Sequence, residues 1–121
     1  MYIDLFSGIY EKYSLERCIR DAKRIGYDSV QIGFGLEVYN DLKVDKAKQV
    51  LDETDIRVSC LYSATGNYGR KEEKEYEEEL RKLKWVCEAA EKLGVEYISH
   101  SDGIRHGAGE DIVNKVNEIL E

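Results

Sequence analysis

Short apolar segments alternate four times with longer amphipathic segments along this chain of 121 residues. The apolar segments span Tyr2–Phe6, Ser29–Ile32, Ile56–Leu61 and Glu96–Ser99, and their length and β-branched or aromatic content are typical of strands. Strands that are separated by helices must be parallel, with right-handed crossovers. The alternation therefore predicts a single α/β domain in the order βαβαβαβα.

The amphipathic segments predict four helices. Ser14 is placed to cap the first helix, and Gly26 is placed to end it. The second helix is predicted over about 44–53, the third carries an apolar stripe from 76 to 93, and the fourth is predicted over 112–120. The charged run from Lys71 to Lys84 is interpreted as the solvated face of the third helix.

Two stretches of the chain repeat one pattern. Residues 22–30 and 90–98 both read Ala-x-basic-aliphatic-Gly-x-acidic-x-aliphatic. Gly26 and Gly94 are predicted to adopt the left-handed conformation that ends a helix and turns the chain into a strand. The repeat fits a fold built from identical βα units, as in barrels, and equally fits a general preference of short αβ loops for such residues.

Charge and length exclude several classes of protein. There are 25 acidic and 18 basic residues, and a net charge of −7 argues against a nucleic-acid binder that works by neutralising phosphates. No apolar run is long enough for a membrane span, and no secretory leader is visible, so we expect a soluble, cytoplasmic protein. A complete (β/α)8 barrel needs about 250 residues, which this chain does not have.

The three cysteines form no recognisable motif. Cys18, Cys60 and Cys87 are an odd number and show neither CxxC nor zinc-finger spacing. Each lies in a segment with an apolar pattern, so we predict buried free thiols.

Function in parallel α/β folds collects where the strands end. The segments that follow the four predicted strands are rich in small, polar and aromatic residues, in contrast to the short loops at the opposite end. They are residues 7–10, 33–35, 62–69 and 100–103. This asymmetry predicts a binding surface at the carboxyl ends of the strands.

Both histidines of the chain lie in the sequence His100-x-Asp102-x-x-x-His106. Imidazole nitrogen and carboxylate oxygen suit zinc or manganese, and the ordinary pKa of a histidine also permits acid–base catalysis by His100. A loop histidine with only local hydrogen bonds remains an alternative. The glycines before the last helix do not predict a phosphate site, because Glu110 and Asp111 already place two carboxylates in its first turn.

Four motifs resemble the xylose isomerase-like barrels, a family that includes sugar phosphate isomerases and epimerases and endonuclease IV-type enzymes. The matching segments are residues 14–16, 25–32, 56–61 leading into Gly66-Asn67, and 89–98. They occur in the family's order and cover the first half of its barrel. The resemblance implies a parallel (βα)4 half of a TIM barrel, whereas an open flavodoxin-like sheet is the alternative fold.

The resemblance also implies an activity and its residues. It implies divalent-metal-dependent proton transfer on a ketose or aldose, often phosphorylated, and the residue pattern above makes His100 and Asp102 the candidate ligands of zinc or manganese. The residues expected to line the substrate site are Phe6, Ser7, Tyr62, Ser63 and Asn67. In the sugar isomerase branch the metal ligands lie on later strands, while His100 is similar in position to an early-half metal ligand of the endonuclease IV branch.

A half-barrel leaves two strand edges open, and open edges favour association. We therefore expect a homodimer in which two copies close one eight-stranded barrel. Two functional hypotheses remain open at this point. The chain is either a sugar isomerase or epimerase of this family, or a catalytically inert, self-associating half-barrel that is a natural fragment or an engineered scaffold.

Overall fold

The computed structural model describes residues 1–10, 12–34, 40–66, 73–101 and 110–121. Four strands alternate with four helices, as the sequence predicts. The strands are β1 (Asp4–Phe6), β2 (Ser29–Phe34), β3 (Arg57–Gly66) and β4 (Ile98–Ser101). The helices are α1 (Leu15–Ile25), α2 (Asp41–Thr54), α3 (Glu73–Leu93) and α4 (Glu110–Leu120). A short 3-10 helix, Ser7–Tyr10, follows β1 directly.

The four strands form one parallel sheet in the order β1-β2-β3-β4. Each right-handed crossover therefore moves one strand further in the same direction, so the helices lie on the same side of the sheet. A flavodoxin-like sheet reverses its strand order and carries helices on both faces. The observed order excludes that alternative and confirms the parallel half of a TIM barrel.

The helix-covered face of the sheet contains the main core. Leu5, Val30, Ile32 and Leu61 point towards the helices and are nearly or completely buried. They pack against the apolar stripes of α1, α2 and α3. The residues that alternate with them along the strands point to the other side, which we call the open face.

Local sequence explains where the helices begin and end. Ser14 caps α1, with its Oγ accepting a hydrogen bond from the backbone N–H of Arg17. Gly26 and Gly94 end α1 and α3 in the left-handed conformation, with φ of 99° and 70°. The predicted role of both glycines is confirmed. Asp55 occupies the same conformation after α2 with φ of 53°, although it has a Cβ atom.

Several boundaries differ from the predicted ones. Helix α2 begins at Asp41 because the side chain of Asn40 accepts hydrogen bonds from the N–H groups of Leu42 and Lys43, a cap that the apolar pattern did not reveal. Strand β3 continues to Gly66, through residues predicted to form a loop. Residues 7–10, predicted as a loop, form the 3-10 helix.

Helix α4 is held by a separate small cluster. Leu80 and Leu83 of α3 pack against Val116 of α4, apart from the main core. Glu79 lies in the charged run that was predicted to be solvated, yet its side chain is buried and forms an ion pair with Lys82. The end of this run nearest α4 is therefore part of a helix contact.

The cysteine prediction is correct in part. All three thiols are free, but only Cys18 is fully buried, while Cys60 and Cys87 are half-buried. Within the described ranges, no helix has the length and apolar character needed to cross a membrane.

Candidate functional site

The carboxyl ends of β1 and β3 place two aromatic rings together on the open face. The rings of Phe6 and Tyr62 meet edge to face, with centroids 6.2 Å apart. Their side chains belong to strands that are not neighbours, since β2 lies between them. Phe6 is 40% exposed and Tyr62 is 45% exposed, so a large part of each ring remains available to a ligand.

Glycine on the intervening strand leaves room for this contact. Gly33 of β2 pairs with Tyr62 in the register, and a Cβ atom there would lie 3.3 Å from Cε2 and 3.4 Å from Cζ of Phe6. Gly8 in the 3-10 helix lies closer still, because a Cβ atom at that position would overlap the Phe6 ring, with Cζ only 2.8 Å away. Two glycines therefore fix where this ring can lie.

Ser7 ties the 3-10 helix to the sheet at the same place. Its Oγ accepts a hydrogen bond of 2.8 Å from the backbone N–H of Gly33. The hydroxyl hydrogen remains available to donate to a ligand oxygen. At the far end of the 3-10 helix, Tyr10 donates to Asp21 of α1, and desolvation followed by the charge of Asp21 raises the pKa of Tyr10.

The structure brings together three of the residues predicted to line a substrate site, namely Phe6, Ser7 and Tyr62. Ser63 and His100 are register partners at the ends of β3 and β4, so the backbone also brings these two positions together. The substrate role predicted for Ser63 and the metal role predicted for His100 stay predictions. Asn67, Asp102 and His106 lie outside the described residues, and the substrate and metal roles predicted for them stay predictions.

The described side chains do not by themselves assemble a metal centre. Among them, no group of three or more histidine, cysteine or carboxylate side chains is close enough to hold an ion. The two predicted ligands, His100 and Asp102, are not part of that set. The metal prediction thus depends on the segment that begins at the end of β4.

The opposite end of the open face carries a polar cluster that sequence reasoning missed. Asp4, Ser29 and Arg57 are register partners on β1, β2 and β3. The Ser29 hydroxyl donates to Asp4 and lies 2.6 Å from the hydroxyl of Tyr2, while the Arg57 guanidinium lies 4.9 Å from the centre of the Tyr2 ring. Strand alternation could have revealed the cluster, because these residues alternate along the strands with those that face the helices.

The fold defines a class of protein: a parallel half-barrel that carries a partly exposed aromatic pair at the carboxyl ends of its strands. A family model described as the xylose isomerase-like TIM barrel matches residues 19–121. The chain belongs to this xylose isomerase-like family, which confirms the resemblance seen in the sequence. A search of the curated proteins gave no match.

Solved structures of sugar epimerases share the fold. The chain resembles the 3-keto-D-glucoside 4-epimerase YcjR of E. coli in its apo form, with a TM-score of 0.69 and 17% identity over 99% of this chain and 49% of that one. It also resembles D-psicose 3-epimerase of Clostridium cellulolyticum H10 with D-tagatose, with a TM-score of 0.72 and 14% identity over 99% and 47%. The chain therefore spans about half the length of these proteins.

Proposed function

We propose that the chain supplies half of a sugar isomerase or epimerase site, at the carboxyl ends of β1 to β3. The observation that carries the proposal is the half-exposed aromatic pair of Phe6 and Tyr62 over Gly33. Membership of the xylose isomerase-like family supports this location, because active sites of TIM barrels lie at the carboxyl ends of the strands. The substrate class is a ketose or aldose, phosphorylated or free.

The chemistry of the pair suits a sugar. One face of a sugar ring or chain presents C–H groups, which pack against aromatic rings, while its hydroxyl groups need hydrogen-bond partners. Phe6 and Tyr62 provide the apolar contact, and the hydroxyls of Tyr62 and Ser7 can form hydrogen bonds with the sugar oxygens. Because Gly33 holds Ser7 in place through its N–H group, this hydroxyl is already oriented before a ligand arrives.

His100 and Asp102 remain the proposed ligands of a divalent metal, zinc or manganese. Imidazole and carboxylate are suitable donors for either ion. A metal bound by these residues would polarise a substrate carbonyl oxygen and so make the neighbouring C–H proton easier to remove. His100 ends β4, next in the register to Ser63 of β3, so a metal held there would lie on the same end of the sheet as the aromatic pair.

Sugar binding is the direct test. Saturation-transfer NMR is recorded with D-tagatose, D-psicose and a panel of ketose phosphates, for the parent chain and for Tyr62→Ala and Phe6→Ala. We expect transfer to the sugar C–H protons in the parent and its loss in both variants. Ile25→Ala is the matched control, because Ile25 is an exposed apolar residue at the opposite end of the sheet. Equal transfer in all four proteins would exclude the aromatic pair as the site.

Metal and turnover are measured separately. We expect zinc or manganese in stoichiometric amount after dialysis, and we expect His100→Ala to lose it. We also expect epimerisation of a bound ketose, which is monitored by the exchange of its carbon-bound proton in deuterated water. Sugar binding without metal or exchange would support the inert half-barrel instead.

A further inference from the structure

We propose that Tyr10 is a positioning residue for the aromatic pair: through the 3-10 helix it holds the Phe6 ring against Tyr62 before a ligand arrives. The proposal rests on the proposed function, in which this pair binds the sugar. Tyr10 itself is not part of the pair. It is the last residue of the 3-10 helix, and its hydroxyl bonds to helix α1.

The 3-10 helix is attached at both of its ends. At its first residue, the Oγ of Ser7 accepts a hydrogen bond of 2.8 Å from the N–H of Gly33 on β2. At its last residue, the hydroxyl of Tyr10 donates to Oδ2 of Asp21 on α1, at 3.3 Å. The half-buried ring of Tyr10 also packs against the main core. Only one turn of four residues joins the two attachments, so a movement of Tyr10 is passed on to Gly8.

The Phe6 ring lies between the 3-10 helix and β2. A Cβ atom at Gly8 would meet the ring along its Cδ1 and Cε1 edge, and a Cβ atom at Gly33 would meet the opposite, Cε2 edge. The backbone at these two glycines therefore limits the rotation of the ring. If the Tyr10 end of the 3-10 helix were released, Gly8 could move away and Phe6 would gain freedom relative to Tyr62. A site that becomes ordered only on binding has a lower affinity.

Four side chains hold Tyr10 in a closed network. The rings of Tyr10 and Tyr13 meet with centroids 5.9 Å apart, and the guanidinium of Arg17 lies 4.2 Å from the centre of the Tyr13 ring. Nε of Arg17 lies 3.6 Å from Oδ2 of Asp21, the oxygen that accepts the Tyr10 hydroxyl. Arg24 contacts the other oxygen of Asp21 at 3.3 Å. Each of the four is thus restrained by two others.

Partial exposure of this network separates positioning from stability. The side chain of Arg17 is 59% exposed and that of Asp21 is 21% exposed. Ion pairs that water can reach contribute little to the free energy of unfolding. Loss of the Tyr10 hydroxyl should therefore change the local position of the 3-10 helix much more than the stability of the whole fold.

Two matched variants test the role of the hydroxyl. Tyr10→Phe and Tyr13→Phe each remove one hydroxyl and keep the ring, but within the described part of the chain only the hydroxyl of Tyr10 has a hydrogen bond. The measurements are nuclear Overhauser effects between Phe6 and Tyr62, the Kd of D-tagatose by NMR titration, and the midpoint of urea unfolding. In Tyr10→Phe we expect weaker ring contacts and a Kd about two- to tenfold higher, the range for one hydrogen bond, with the midpoint nearly unchanged. Tyr13→Phe should match the parent in all three.

Substitution of Asp21 adds a rescue experiment. Asp21→Asn keeps an oxygen that can accept the Tyr10 hydroxyl, whereas Asp21→Leu removes it. We expect Asp21→Asn to retain most of the ring contacts and of the affinity, and Asp21→Leu to reproduce Tyr10→Phe. In the Asp21→Leu background, Tyr10→Phe should have no further effect, because the hydroxyl no longer has its partner.

Three results would overturn the proposal: unchanged ring contacts and Kd in Tyr10→Phe, equal changes in Tyr13→Phe, or a lower unfolding midpoint in Tyr10→Phe with intact ring contacts. The last would give Tyr10 a structural role only. A parent chain that binds no D-tagatose would count against the proposed function. The ring contacts would then still decide the role of Tyr10, because they are measured without a ligand.

Discussion

Phe6 and Tyr62 meet edge to face across an intervening strand because Gly33 lies between them. The two aromatic residues are far apart in the sequence and come from β1 and β3. Without a side chain at Gly33, the rings contact each other above the strand and leave their remaining surfaces exposed. The pair is therefore a property of three strands in register.

The position of Phe6 should be sensitive to Gly8. In Gly8→Ala the new Cβ atom overlaps the end of the Phe6 ring, which must rotate away from Tyr62. Because Phe6 is partly exposed, we expect the free energy of unfolding to change by less than about 1 kcal/mol. Nuclear Overhauser effects between the two rings should disappear, together with sugar binding. Gly33→Ala is the graded control, since its contacts of 3.3 and 3.4 Å require only a small shift. Unchanged ring contacts in Gly8→Ala would contradict this account.

Asp55 offers a stabilising substitution. It is the only described residue other than glycine with positive φ, and it follows a helix whose last turn carries no basic residue. In Asp55→Gly, both the left-handed strain and a negative charge at the helix C-terminus are removed, so stability should rise by about 0.5–1 kcal/mol. The midpoint of urea unfolding measures the gain.

Two further variants separate the electrostatic cause of this gain from the conformational one. Asp55→Asn removes the charge and keeps a side chain that tolerates the left-handed region, so it should give only the smaller, electrostatic part of the gain. Gly94→Ala should lower stability by about 1 kcal/mol, because φ there is 70° while no atom lies near the new Cβ. A stabilised Gly94→Ala would refute the conformational argument.

Alkaline pH should destabilise the fold through Cys18. Burial, followed by the charge of Asp21, raises the pKa of this thiol from 9.0 to about 11. The folded chain therefore keeps a proton that the unfolded chain releases, so this contribution to stability is complete below pH about 9 and is lost as pH rises to about 11. Lys92 acts in the same direction, because its bond to Asp45 raises its pKa.

The free energy of unfolding in urea is measured at several pH values between 8 and 11, the interval over which the unfolded and then the folded chain loses the Cys18 proton. In Cys18→Ala the decline should be shallower, although a small cavity lowers stability at every pH. Cys60→Ala, which leaves Cys18 in place, should retain the slope of the parent. A parental slope in Cys18→Ala would show that other groups cause the decline.

Helix α4 should detach before the rest of the fold unfolds. It is anchored by Leu80, Leu83 and Val116, a cluster separate from the main core. Leu83→Ala should cost about 2–5 kcal/mol in this contact, since Leu83 is fully buried. Hydrogen exchange should accelerate in α4 far more than in α1 and α2. Val44→Ala, within the main core, is the control and should accelerate exchange throughout.

Much of this architecture was predictable because its causes are local. These causes act within a few residues of the chain: a helix cap such as Ser14, a turn such as Gly26, and the apolar period of each helix. The four βα units follow from them. The general rule for parallel α/β folds then predicted a binding surface at the carboxyl ends of the strands, and the family motifs supplied candidate residues for it. The candidates Phe6, Ser7 and Tyr62 were identified in this way, although nothing in the sequence indicated that they touch.

Local sequence therefore determined the elements and their order along the chain. Tertiary structure alone decided the ring contact of Phe6 with Tyr62, the alignment of Asp4 with Arg57 and the left-handed turn at Asp55. The physical reason is strand register. A shift by one residue would move every side chain of a strand to the other face, and the register is set by packing over the whole sheet rather than by any short segment.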